Sequence, residues 1–143
     1  MKTRFILIGL IIAAGLCRAD TKLDGIVGTD EKTVGRLVVD NLLKRDYMLY
    51  RERGLHYAEA CTAVGALRYA NNIGDKGLIA KIVSRYESML EPEEDNKLIT
   101  RHSHVDHNVM GIVPLQIYLV TGDERYKTFG LTFADHQWDE TIE

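Results

Sequence analysis

Residues 101–108 read RHSHVDHN and hold three of the chain's five histidines beside an aspartate. Written His102-x-His104-x-Asp106-His107, the stretch offers imidazoles and a carboxylate at the close spacing that holds a dinuclear zinc centre in some hydrolases. A second chemistry is open to the same residues. Near a helix N-terminus Asp106 has its ionised form favoured by the helix dipole, with His104 and His107 close enough to donate hydrogen bonds. Such a carboxylate can act as a general acid or base, or hold a sugar hydroxyl. The plainest alternative is that Asp106 or Asn108 caps the helix and the histidines are solvated. The zinc reading asks for a preceding strand and for further distant His and Asp ligands. Here the flanks are helical in pattern and the only other histidines are His56 and His136. Neither a metal nor another cofactor is therefore expected, and the weight falls on Asp106.

The elements that must position Asp106 follow from periodicity and punctuation. Ile112 to Val120 is apolar at almost every position except Gln116, which predicts a helix buried on all sides. Pro114 belongs in its first turn, where a missing N–H costs nothing, so the histidine-rich stretch lies at or just before a helix N-terminus. Upstream, residues 31–45 place Val34, Leu37, Val38 and Leu42 on one face after a capping Thr29 or Asp30. Residues 55–72 carry Ala58, Cys61, Thr62, Gly65 and Tyr69 at three-and-four spacing, small residues that admit a close neighbour. Residues 76–90 and 124–138 are amphipathic, the first through Leu78, Ile82, Tyr86 and Leu90, the second through Tyr126, Phe129 and Phe133. The acidic run Glu91, Glu93, Glu94, Asp95 reads as a solvated linker.

Two of these units repeat. LRYANNIGDKGLIAKIV and LQIYLVTGDERYKTFGL align with Leu67 on Leu115 and Gly74-Asp75 on Gly122-Asp123, an offset of 48. In each copy a buried helix ends in glycine and aspartate then caps an amphipathic helix running back. Repeated αα-hairpins of this design build solenoids and α/α toroids, so the fold class is all-α, although two hairpins cannot close a toroid. In a toroid the starts of the buried helices line one mouth, which makes His56 and Tyr57, in HYAEA, possible site residues. A core tyrosine beside a capping histidine is the competing reading. Trp138 can stack on a sugar ring or simply pack.

The N-terminus bounds the compartment. Lys2 and Arg4, the apolar run FILIGLIIAAGL, and Cys17 and Ala19 ahead of Asp20 form a secretory signal over residues 1–19. The run is too short to span a bilayer, so no stable membrane insertion is expected after cleavage. Lipidation at Cys17 is an alternative that the bulky Leu16 disfavours. Removal of residues 1–19 takes Lys2, Arg4 and Arg18 from the 18 basic residues and leaves 15 against 21 acidic, a net charge of −6. That balance argues against a nucleic-acid partner. Cys61 alone then remains, which excludes an internal disulfide and reads as a small buried residue.

The stretches GLHYAEACTAVGALRYA, LITRHSHVDHNVMGIVPLQIYLVTGDERY and GLTFADHQWDE together resemble the N-terminal part of the unsaturated rhamnogalacturonyl and glucuronyl hydrolases, glycoside hydrolase family 105, related to family 88. The resemblance covers about residues 33–140 and rests most on the HVD-N-GI-PL-IY pattern. It implies an exported, periplasmic or extracellular enzyme built as a six-hairpin (α/α)6 toroid, with residues 20–143 forming an N-terminal and incomplete portion. Its partner would be an oligosaccharide ending in an unsaturated uronic acid, whose C4=C5 bond the family hydrates. Asp106 matches one of the family's two aspartates, with His56, Tyr57, His104, Asn108 and Trp138 as substrate contacts. The second aspartate is expected in a tryptophan-containing motif downstream of the ADHQW segment, beyond Glu143, so this chain alone is expected to be inactive. Besides zinc hydrolysis, a non-catalytic helical-repeat interaction module is the alternative.

Overall fold

The structure, a computed structural model, describes residues 30–50, 52–92, 96–99 and 105–136. The chain is all-α: α1 is Glu31–Lys44, α2 Tyr57–Asn72, α3 Lys76–Tyr86, α4 Val105–Asn108, α5 Ile112–Thr121 and α6 Glu124–His136. Single 3-10 turns follow α3 and precede α5. Among the described residues extended pairing is limited to one isolated bridge, Leu49 with Leu55. No described helix is long and apolar enough to cross a membrane.

Both copies of the repeat form the expected hairpin. Gly74 and Gly122 close α2 and α5 in the left-handed region, at φ +70° and +77°, where a side chain would be strained. Asp75 then caps α3, its carboxylate accepting from Leu78 N at 2.8 Å, and Asp123 accepts from Arg125 N at 3.0 Å as α6 begins. At the head of the chain Asp30 is the cap, accepting from Thr33 N at 2.9 Å. The two hairpins meet through α2 and α5. Arg68 Nε donates to Gln116 Oε1 at 3.1 Å, joining positions one repeat apart, and the 3-10 turn ahead of α5 also packs on α2. These contacts pack the first hairpin on the second, with Arg68 and Gln116 meeting in the register of the repeat.

Within the second hairpin the backbones nearly touch. A Cβ on Gly130 would lie 2.7 Å from Leu115 Cγ, and one on Gly111 2.7 Å from Phe133 Cβ, so the crossing of α5 and α6 admits only glycine at its closest points. Pro114 stands in the first turn of α5, as its chemistry requires. It cannot donate to the carbonyl of Met110, and the chain ahead of it tightens into the 3-10 turn Val109–Gly111.

Three apolar faces differ from the periodicity. In α1 the inward residues are Val39 and Leu42, while Val34, Leu37 and Val38 stay 45, 61 and 48% exposed. The ring of Tyr69 lies against Gly35 and fixes which side of α1 faces inward. In α2 the buried stripe is Ala60, Ala63, Ala66, Leu67 and Ala70, which leaves Cys61 and Gly65 outside; Cys61 is exposed and not a core residue. In α5 the expected all-round burial fails on one edge, where Leu119 is 71% exposed, because α2 and α6 cover only the other sides.

Candidate functional site

Asp106 lies in the first turn of α4, exposed, on the helical run that continues through the 3-10 turn into α5. The described end of the histidine-rich stretch, Val105–Asn108, is helical, in line with a helix N-terminus at or just after it. Asn108 is half-buried; its amide nitrogen is buried and finds no hydrogen-bond partner among the described residues, an unusual state for a buried donor. It makes no side-chain cap to the 3-10 turn. His102, His104 and Trp138 lie outside the described residues, as do Glu93, Glu94 and Asp95, and the structure does not describe the His107 side chain. Among the described residues no three metal-ligating side chains are grouped.

In the register of the repeat the start of α2 corresponds to the start of α4, Ala58 standing 48 residues before Asp106. His56 is its N-cap, Nδ1 accepting from Ala58 N at 3.2 Å, so the capping reading of this histidine holds. Tyr57, by contrast, is no core residue, at 52% exposed. The His56 ring sits 4.2 Å from the Tyr57 ring and stacks on Tyr50 at 6.0 Å with 17° between planes. Tyr50 and Tyr57 thus present aromatic surface to solvent on either side of an imidazole, a shape suited to the apolar face of a sugar ring.

Beneath this rim is a charged network that the sequence reading did not anticipate. Glu59 is fully buried in the first turn of α2. Arg45 Nη1 approaches Oε2 at 2.5 Å, while Arg85 Nη2 at 3.2 Å and the Tyr86 hydroxyl at 2.8 Å donate to Oε1. Met48 N–H adds a longer contact at 3.4 Å. Arg85 also lies 4.2 Å over the Tyr47 ring, and the Tyr47 hydroxyl donates to the Arg85 carbonyl. A carboxylate removed from water is retained only when paired and hydrogen-bonded in this way. Burial pushes the Tyr86 hydroxyl far above the ordinary tyrosine range, and the charge and hydrogen bond of Glu59 push the same way. Burial likewise raises Tyr47. A signal for the network exists in the sequence: Glu59 shares the three-and-four spacing of Ala63, Ala66 and Ala70, so it belongs to the buried stripe.

A cleft of about 380 Å³ lies between α3 and α6, lined in part by Ile79, Val83, Glu87, Arg125 and Tyr126. It is lined by none of Asp106, His56 or Tyr57. Comparison with family models, with curated proteins and with solved structures returns no match for this chain.

Proposed function

We propose that the protein is part of a carbohydrate-degrading glycoside hydrolase that acts on terminal unsaturated uronic acids, its hairpins forming an arc of an (α/α)6 toroid. What supports this reading is that exposed Asp106 stands one repeat, 48 residues, after Ala58, so that it occupies in the second hairpin the position next to the aromatic rim of Tyr50, His56 and Tyr57 in the first. A carboxylate and a stacking surface are the minimum equipment for handling a sugar. In the proposed reaction a proton is added at C4 of the enol ether and water adds at C5 while returning a proton. The hemiketal so formed opens and releases the next sugar. Asp106 supplies or orients one of these protons in concert with a second carboxylate. Export through the signal at residues 1–19 belongs to the same proposal.

The test is calorimetric titration of the purified chain with a disaccharide ending in a 4,5-unsaturated uronic acid and with its saturated counterpart. Preferential binding of the unsaturated sugar, weakened by Asp106→Asn, is the expected result. Equal binding of both sugars, or indifference to Asp106→Asn, refutes the assignment. A second reading, a helical-repeat interaction module, is favoured by the exposed apolar residues at the two edges, Leu37 and Leu119 above all. It predicts specific capture of a protein partner and no affinity for either disaccharide.

A further inference from the structure

We propose that Glu59 is a positioning residue, its buried carboxylate holding the 45–50 loop so that Tyr50, His56 and Tyr57 keep the geometry of a sugar-binding rim. The inference rests on the proposed carbohydrate function for what the rim does, and on the hydrogen-bond pattern alone for how the rim is held.

Glu59 reaches the loop at two points, Arg45 just after α1 and the Met48 N–H. Met48 is fastened on its other side too, because its carbonyl accepts from His56 N at 2.9 Å. Met48 is therefore held between the buried carboxylate and the residue that caps α2. The next residue, Leu49, forms the bridge with Leu55, and Tyr50 follows it, its N–H donating to the Gly54 carbonyl at 2.7 Å and its ring stacking on His56. The far side is fixed by Arg85, which binds Glu59, lies over Tyr47 and accepts that tyrosine's hydroxyl proton on its carbonyl. Each of these contacts ends on the loop or on the first turn of α2. A network built only to join helices would not need to hold the main chain of a loop whose exposed product is one tyrosine. Leu55, in the same segment, is fully buried, but apolar burial alone fixes no register.

The experiment uses the full chain in three variants: Arg45→Met, which removes one tie to the loop, Glu59→Gln, which removes the charge, and Ile82→Val, which trims the buried core of α3 outside the network. Ring proton signals of His56 are followed by NMR, and binding of the unsaturated disaccharide by titration. Arg45→Met and Glu59→Gln should both move the His56 signals and weaken the disaccharide by about tenfold, the order expected of a displaced contact surface. Ile82→Val should lose stability without either effect. Unmoved His56 signals in Arg45→Met overturn the positioning role, and that variant keeps the test decisive should Glu59→Gln fail to fold. Moved signals in a protein that never binds the disaccharide uphold the clamp and refute the carbohydrate reading instead.

Discussion

Two glycines of the helices should respond in opposite directions to the same substitution. Gly65 is exposed in the middle of α2, and a Cβ built there meets nothing within 4 Å. Gly65→Ala therefore keeps only the helical advantage of alanine over glycine, about 0.5–1 kcal/mol of added stability. Gly130 in α6 gains the same advantage and loses more. Its new Cβ would sit 2.7 Å from Leu115 Cγ and 2.8 Å from Cδ2, with the Gly111 carbonyl oxygen at 3.2 Å. Leu115 Cγ is the branch point of its side chain and not a free tip, and the carbonyl is backbone, so α6 must move away from α5. Overpacking of this kind costs about 1–3 kcal/mol, which leaves Gly130→Ala destabilised by about 1 kcal/mol. The two variants should thus straddle the parent by about 1–3 kcal/mol in all, read as urea midpoints at constant slope. In a melt each kcal/mol corresponds to about 4–8 °C for a domain this small. A Gly130→Ala protein as stable as Gly65→Ala refutes the close approach of α5 and α6.

Burial, then the charge of Glu59, raises the Tyr86 hydroxyl above its unfolded value of 10.0, so the fold requires the neutral phenol. The stability this gives is whole below pH 10 and is lost as the pH rises above it; Tyr86→Phe should flatten that alkaline decline while costing about 1 kcal/mol at neutral pH, measured by urea unfolding across pH. Asp75→Ala removes the acceptor for Leu78 N and should cost about 1 kcal/mol, with Asp75→Asn close to the parent in the same assay. Exposed Cys61 should react with a thiol reagent in the native protein at nearly the rate of the unfolded chain; protection until unfolding would contradict its place on α2.

The hairpins were legible because their punctuation is local. Gly74-Asp75 and Gly122-Asp123 each specify a left-handed stop and a cap within two residues, and no distant contact is needed to read them. Which face of a helix turns inward was not legible where apolar residues surround it. α1 carries Val34, Leu37 and Val38 as well as Val39 and Leu42, and contacts from distant residues, the Tyr69 ring on Gly35 and its hydroxyl on the Lys32 carbonyl among them, turn the second set inward. On α2 the small residues hid the buried stripe, since alanine is tolerated on either side. At the site, the place of Asp106 near a helix start and the capping alternative for His56 followed from position in the helices. Glu59 was missed because a carboxylate on an alanine stripe looks like an exception until Arg45 and Arg85 arrive from elsewhere in the chain.

The partners of the 45–56 loop lie ahead of it in the chain. Gly54 and Leu55 donate to the carbonyls of Lys97 and Leu98, and Glu59 takes a second cation from Arg85. During vectorial synthesis, α1 and α2 are therefore complete while the ties that settle the turn between them are still unmade. Until residue 85 emerges, Glu59 has Arg45, the Met48 N–H and water, and until residue 98 Gly54 and Leu55 lack their carbonyl acceptors. The first helical pair should consequently stay loose on the ribosome and lock late, in one step with α3 and the segment that follows it.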